Sequence, residues 1–157
     1  MDLSHLTRPA APWFHLLVGA PADARDTLGA LERPGGAAVR FVRGRKATAD
    51  AAFFDESSAA LQFPDYFGEN WDAFRDCLAD LSWLRAEAVV LLLADAAHLL
   101  EKATAAEVQS FLVVLNDAVQ RWNGAARPFH VIWHTAPAEE EALKRRWQAA
   151  GLSLHRF

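Results

Sequence analysis

The sequence predicts an α/β protein built on a small, largely parallel sheet. Three observations lead to this prediction: helix-like and strand-like segments alternate, residues 89–93 form a continuous aliphatic run, and apolar residues recur at helical spacing after Thr104. A continuous aliphatic run is typical of a strand that is covered on both faces, as in parallel sheets. Alternation of helices and strands favours a layered α/β architecture.

Short apolar runs predict the strands, and glycine or proline, each of which interrupts regular structure, flanks most of them. The C-terminal residues 152–157 offer a further edge strand. The other predicted strands are residues 13–18, 37–42, 89–93 and 129–133.

Helical spacing and end signals predict the helices. Thr104 and Glu107 have the spacing of a capping box, and Gly124 ends the apolar repeat that follows. Asn70 is well suited to begin a helix that runs to about Trp83. The remaining predicted helices are residues 22–31, residues 48–61 with a break at 55–58, and a segment between Pro137 and Gly151.

Composition limits the classes of protein that fit. The chain has 157 residues, of which 52% are hydrophobic, so it can build one core and is too apolar for global disorder. The apolar run 88–94 is far shorter than the roughly twenty residues of a membrane span. Cys77 is the single cysteine, which excludes an internal disulfide and fits a cytoplasmic location.

Motifs for catalysis and cofactor binding are missing from the sequence. It contains no glycine-rich phosphate loop, no Gly-x-Ser-x-Gly and no His-Glu-x-x-His. His130 and His134 would lie about 13 Å apart on a strand, too far to share one metal ion. We therefore expect no catalytic residues, no cofactor and no metal site, and interpret these histidines and Cys77 as structural.

Negative charge is concentrated in one part of the chain. The formal net charge is −4, but residues 47–84 contain eight acidic residues against one basic residue, Arg75. The remainder is therefore positive, with one dense basic group at residues 40–46 that is typical of a solvated strand end. The acidic total argues against direct binding of nucleic acid.

The acidic residues fall on one side of the helix predicted after Asn70. At about 100° per residue, the carboxylates lie within one arc and the apolar residues occupy the opposite arc. Carboxylates four residues apart repel by a few tenths of a kcal/mol, so a divalent cation or a cationic macromolecule would relieve the repulsion. A merely solvated face and a metal-dependent hydrolase remain open on this pattern. The acidic arc holds Asp65, Glu69, Asp72, Asp76 and Asp80, and the apolar arc holds Phe67, Trp71, Phe74, Leu78 and Leu81.

Residues 63–78 read Phe-Pro-Asp-Tyr-Phe-Gly-Glu-Asn-Trp-Asp-Ala-Phe-Arg-Asp-Cys-Leu and closely resemble the signature of the barstar family of ribonuclease inhibitors. Shared features are the proline and acid, the aromatic pair, Gly-Glu-Asn, Asp-Ala, and a second Asp before Cys-Leu. The resemblance extends more loosely over residues 37–135. It implies a barstar-like α/β fold with a small, mainly parallel three-stranded sheet packed with helices, and with extra strand and helix elements at both termini.

The resemblance also implies roles for individual residues. Asp76 is expected to mimic an RNA phosphate, Asp72 to pair with a second cation, and Tyr66 to supply an aromatic anchor. Gly68 shapes the loop, and Asn70 starts the helix and borders the contact. The expected partner-binding set is completed by Trp71, Arg75, Asp80 and, on the long helix, Asp117.

Arg75 departs from the family pattern, which commonly has an aromatic residue between the two aspartates. A guanidinium there has the wrong sign for a cationic ribonuclease, unless it folds back onto Asp72 or Asp76. Arg75 therefore puts the exact partner in doubt.

The sequence thus predicts a non-enzymatic, cytoplasmic bacterial immunity protein that occludes the active site of a small basic ribonuclease. The alternative hypothesis is that the scaffold is retargeted to another toxin or to a housekeeping partner. We expect one domain over residues 1–157, with a family-like core at about 37–135, an N-terminal extension at 1–36 and a C-terminal extension at 136–157.

Overall fold

A computed structural model describes residues 2–34 and 36–157. It shows an α/β fold with one five-stranded, all-parallel sheet whose strand order is β2-β3-β4-β1-β5. The three-stranded sheet implied by the family resemblance is therefore wrong. The strands are β1 (Phe14–Val18), β2 (Ala37–Arg43), β3 (Ala88–Ala94), β4 (Phe129–Thr135) and β5 (His155–Arg156).

The burial of β4 explains why the sheet has more than three strands. Every residue of β4 is buried, so a free edge on this strand would leave backbone hydrogen-bonding groups without partners. β1 covers that edge, with Phe14 opposite Val131 and Val18 opposite Thr135. β5 then pairs with β1, so both terminal segments enlarge the central sheet.

The described residues form five α-helices, which connect or flank the strands. α2 is continuous, so the break predicted at residues 55–58 is absent. α3 ends earlier than the predicted Trp83, because Leu81 adopts a left-handed conformation with φ 43°. The long helix α4 begins at the predicted capping box of Thr104 and Glu107. The helices are α1 (Pro21–Gly29), α2 (Asp50–Leu61), α3 (Trp71–Asp80), α4 (Ala105–Gly124) and α5 (Glu140–Ala149).

The two faces of the sheet are covered unequally. One face packs under α2, α3, α4 and α5 and carries the larger core. The other face is covered by α1 and by the short 3-10 helix Ser4–Thr7, which bury a smaller aliphatic cluster. α1 and α3 therefore lie on opposite sides of the sheet.

Aromatic side chains fill the larger core. Phe53 lies at the centre, with its ring centroid 5.6 Å from Trp71, 5.2 Å from Phe74 and 5.2 Å from Phe111. Aromatic contacts of this kind add about 0.5–1.5 kcal/mol each beyond the burial of apolar area. The cluster connects α2, α3 and α4 directly, so it fixes the position of α3.

Buried histidines lie under the smaller core. Nε2 of His15 is 3.1 Å from Nδ1 of His130, and Nε2 of His130 is 2.9 Å from the carbonyl oxygen of Arg8. Because that carbonyl only accepts, His130 donates through Nε2 and accepts from His15 through Nδ1. Burial, with the neighbouring His130, His5 and His155, lowers the pKa of His15 to about 3. His134 is hydrogen-bonded between Asp95 and Gly19.

Acid is expected to destabilise the fold through His15. Its pKa is lower in the folded than in the unfolded chain, so the unfolded chain binds more protons and stability falls as the pH drops below about 6.5. Thermal unfolding from about pH 7.5 to about pH 4.5 should show this loss, and His15→Phe should make the dependence shallower. His98→Gln, which removes a histidine outside the cluster, is the control. Equal pH slopes for the wild type and His15→Phe would contradict the assignment.

Candidate partner-binding face

The loop before α3 is tied to the helix by Asn70. Its Oδ1 accepts a hydrogen bond from the backbone N–H of Ala73 at 2.8 Å, and its Nδ2 donates to the carbonyl oxygen of Gly68 at 3.1 Å. The helix start predicted at Asn70 is confirmed. The left-handed residue of the loop is Glu69, with φ 52°, and not Gly68, the residue that the resemblance expects to shape the loop.

The inner side of α3 is apolar, as the sequence predicted. Phe74, Cys77 and Leu78 are buried. The half-buried ring of Trp71 stacks on Phe53, with the two planes inclined at 24°. Trp71 therefore anchors the first turn of α3, and its place at a partner contact stays a prediction.

Donors from α4 and the following loop hold the C-terminal end of α3. The last carbonyl groups of a helix have no partner within the helix, and cations are favoured there. Nε1 of Trp122 donates to the carbonyl oxygen of Leu78 at 2.7 Å, and Nε of Arg121 donates to that of Ala79 at 3.1 Å. The guanidinium of Arg127 donates to the carbonyl oxygens of Leu81, Leu84 and Ala86.

The outer side of α3 carries three exposed carboxylates, Asp72, Asp76 and Asp80. Within residues 2–34 and 36–157, no nitrogen of a lysine, arginine or histidine lies within 4.0 Å of their oxygens. By contrast, Glu56 of α2 is paired with Arg43. We call Asp72, Asp76 and Asp80, together with Tyr66, the acidic face.

Tyr66 projects from the loop beside these carboxylates. Among the large apolar residues that the structure describes, Tyr66 is the most exposed, at 71%. Local desolvation and then the charges of Asp80 and Cys77 raise the pKa of Tyr66. The neighbouring Phe63 and Phe67 point inward and contact each other at 4.9 Å between centroids. An aromatic ring next to anionic groups can act as an anchor for a partner surface.

Arg75 pairs with α4 and not with its own helix. Its Nε lies 3.4 Å from Oδ2 of Asp117, and the two side chains are 47% and 53% exposed. Arg75 therefore does not fold back onto Asp72 or Asp76, the arrangement that would have reconciled its charge with a cationic ribonuclease. Arg75 is on the side of α3 that turns toward α4, where it pairs with Asp117. Among the residues that the structure describes, neither Asp72 nor Asp76 has a cation within 4.0 Å.

Sequence reasoning missed Arg121, which contributes to the same region. It lies one helical turn after Asp117 on α4. This spacing, four residues along a helix, was a signal that the two charged side chains share one stripe of α4. The contact between that stripe and Arg75 depends on how α3 packs against α4.

The part of the chain that the structure describes contains no candidate metal site. No group of three or more His, Cys, Asp or Glu side chains there is placed to hold an ion. Burial, and then the charges of Asp76 and Asp80, raise the pKa of the Cys77 thiol, which opposes formation of a reactive thiolate.

None of the helices in residues 2–34 and 36–157 combines the length and apolar character needed to cross a membrane.

Comparison with known families decides the relationship. A sequence profile described as Barstar (barnase inhibitor) matches residues 37–134, which is more than half of the chain. The chain belongs to the barstar family. The match spans β2 through β4 and includes every residue of the acidic face as well as Arg75 and Asp117. The barstar family is a family of inhibitors that bind a ribonuclease, and not a family of enzymes.

A solved structure shares the wider fold. Cdc6p from Pyrobaculum aerophilum is similar over 91% of this chain and 38% of that chain, with 21% identity and a TM-score of 0.53. This chain therefore corresponds to well under half of Cdc6p, and at this identity the likeness concerns the fold alone. No curated protein sequence matches the chain.

Removing the cap at Asn70 should weaken α3. Asn70→Ala deletes the hydrogen bond to Ala73 and is expected to lower the free energy of unfolding by about 1 kcal/mol. Asn70→Asp keeps the accepting oxygen and should retain most of the stability. Urea denaturation measures both variants, and an equal loss for the two would show that the cap is not the source of the stabilisation.

Proposed function

We propose that this barstar family member inhibits a small basic ribonuclease by placing the acidic face of α3 in its active site. The observation that carries the proposal is the set of exposed aspartates, Asp72, Asp76 and Asp80, which have no cationic nitrogen within 4.0 Å in the described part of the chain. Family membership supplies the class of partner. We further propose a cytoplasmic role in immunity, in which the inhibitor protects the cell that makes the ribonuclease.

The chemistry of RNA cleavage explains why carboxylates suit this task. A ribonuclease surrounds the scissile phosphate with cationic side chains, which bind any correctly placed anion. A carboxylate fills the phosphate position and offers no bond to cleave. In this proposal, Asp76 takes that position, Asp72 pairs with a second cation, and the ring of Tyr66 packs beside them.

The free inhibitor is prepared for such a partner. Asp72, Asp76 and Asp80 follow one another at four-residue spacing, so adjacent carboxylates repel each other by a few tenths of a kcal/mol. Cations of the partner relieve this repulsion when they bind. Because the core holds α3 rigidly, little conformational entropy remains to be lost at the interface.

We also propose that residues 1–157 form one barstar-like domain. β1, α1, α5 and β5 belong to the same sheet or pack against it, which supports this assignment. These elements are distant in sequence from the segment that carries the acidic face. In the proposal they stabilise the sheet and leave partner recognition to α3, its preceding loop and α4.

Loss of Asp76 should remove most of the inhibition. Asp76→Ala is expected to weaken binding to barnase, the ribonuclease in the family description, by at least about 30-fold, because the partner's buried cations lose their anion. Inhibition constants from an RNA-cleavage assay measure the effect. Asp26→Ala removes an exposed aspartate from α1 on the opposite side of the sheet and should leave inhibition unchanged. Equal effects of the two substitutions would contradict the proposed role.

Salt should slow the association. Attraction between an acidic face and a basic active site is screened at high ionic strength, because the Debye length falls from about 10 Å at 0.1 M salt to about 3 Å at 1 M. Stopped-flow association with barnase should therefore slow by about tenfold or more across this range. The double variant Asp72→Ala, Asp76→Ala should lose most of this salt dependence. A rate that does not change with salt would contradict electrostatic docking.

A second candidate function is binding to a different toxin or to a housekeeping partner. The observation that favours it is Arg75, a cation between the two aspartates. Pull-down from the native host with the wild type and with the Asp72→Ala, Asp76→Ala variant separates the candidates by the identity of the protein that is lost. A ribonuclease supports the first candidate, and any other protein supports the second.

A further inference from the structure

A groove runs between α3 and α4 next to the acidic face. Its volume is about 270 Å³. Small apolar side chains form its floor, and two guanidinium groups and one carboxylate border it. We call it the α3–α4 groove, and its lining residues are Arg75, Ala79, Val114, Asp117, Ala118 and Arg121.

The charges of the α3–α4 groove are not balanced. Arg75 is paired with Asp117, whereas the recorded partner of Arg121 is the carbonyl oxygen of Ala79. Among the residues that the structure describes, no carboxylate oxygen lies within 4.0 Å of the Arg121 guanidinium. Each guanidinium has five donors, so both arginines have unused capacity for an anion. The groove therefore carries one positive charge more than its carboxylate neutralises.

The groove and the acidic face form one continuous surface. Arg75 precedes Asp76 directly on α3 and lies three residues after Asp72. A standard protein interface covers roughly 800 Å² on each partner, which is enough to include both areas. A protein that docks on Asp76 through an interface of this size therefore also covers Arg75.

We propose that the α3–α4 groove receives an acidic side chain of the ribonuclease that docks on the acidic face, and that Arg75 and Arg121 select this partner. The inference rests on the proposed function. A ribonuclease with only cations around its active site would bring one of them against Arg75, and such contacts between like charges oppose binding. A ribonuclease with an aspartate or glutamate beside its cationic site would place this carboxylate on Arg75 and Arg121. The groove thus distinguishes among basic ribonucleases that the three aspartates alone would accept.

The experiment uses barnase and a set of its variants in which each surface position bordering the active site is replaced singly by Asp. Binding of every variant to the whole chain is compared with binding of unmodified barnase. At one position or a few adjacent positions, Asp is expected to strengthen binding by about tenfold. Arg75→Ala, Arg75→Gln and Arg121→Ala should each reduce that gain. Arg85→Ala, which removes an exposed arginine outside the groove, should preserve it and so controls for the change in net charge.

The outcomes separate this inference from the function on which it rests. If no Asp position gains affinity, or if the gain persists in Arg75→Ala and Arg121→Ala, the selection by the groove is refuted. Binding of unmodified barnase that Asp76→Ala removes would then still support the proposed function. If neither barnase nor any variant binds, both proposals are overturned. Matching melting temperatures of the inhibitor variants verify that the altered surface residues leave the fold intact.

Discussion

The two-sided character of α3 is the constraint on which the candidate binding face depends. Phe74 and Leu78 are fully buried in the aromatic core, and this burial fixes the rotation of the helix. A shift by one residue would turn the helix by about 100° and move a carboxylate such as Asp76 toward the core, where an unpaired charge is very costly. The packing that stabilises α3 therefore also keeps its aspartates in solvent.

A series of specific hydrogen bonds relates this helix to the sheet. The buried side chain of Asn123, near the end of α4, bonds to both the N–H and the carbonyl oxygen of Phe129 at the start of β4. The adjacent Trp122 donates to the carbonyl oxygen of Leu78 in α3. β4 thus positions α4, and α4 positions α3. Because β1 pairs with the other edge of β4, the N-terminal segment supports the same arrangement from outside the region that matches the family.

The sequence predicted the features that depend on local patterns. The capping box at Thr104, the cap at Asn70 and the outward side of α3 all follow from residues close together in the chain. Features that depend on distant residues were not predicted. The resemblance gave three strands because it covered only the middle of the chain, while two further strands from the ends join the same sheet.

The pairing of Arg75 was missed for the same reason. Asp117 is more than forty residues further along the chain, so only the packing of α3 on α4 brings them together. Local reasoning considered only the nearest acids, Asp72 and Asp76, as possible partners for Arg75. The sequence was enough to predict which carboxylates are exposed. Only the structure shows that, among the described residues, no arginine forms an ion pair with them.

The single thiol of the protein lies directly beneath these carboxylates. Cys77 is buried on the inner side of α3, where the packed helix shields its sulfur from reagents in solvent, and burial also raises the pKa of its thiol. A thiol-modifying reagent therefore labels the protein only during transient detachment or unwinding of this helix. The rate at which Cys77 is labelled therefore reports local opening of α3 without any engineered probe. A docked ribonuclease that suppresses this opening would slow the labelling of Cys77.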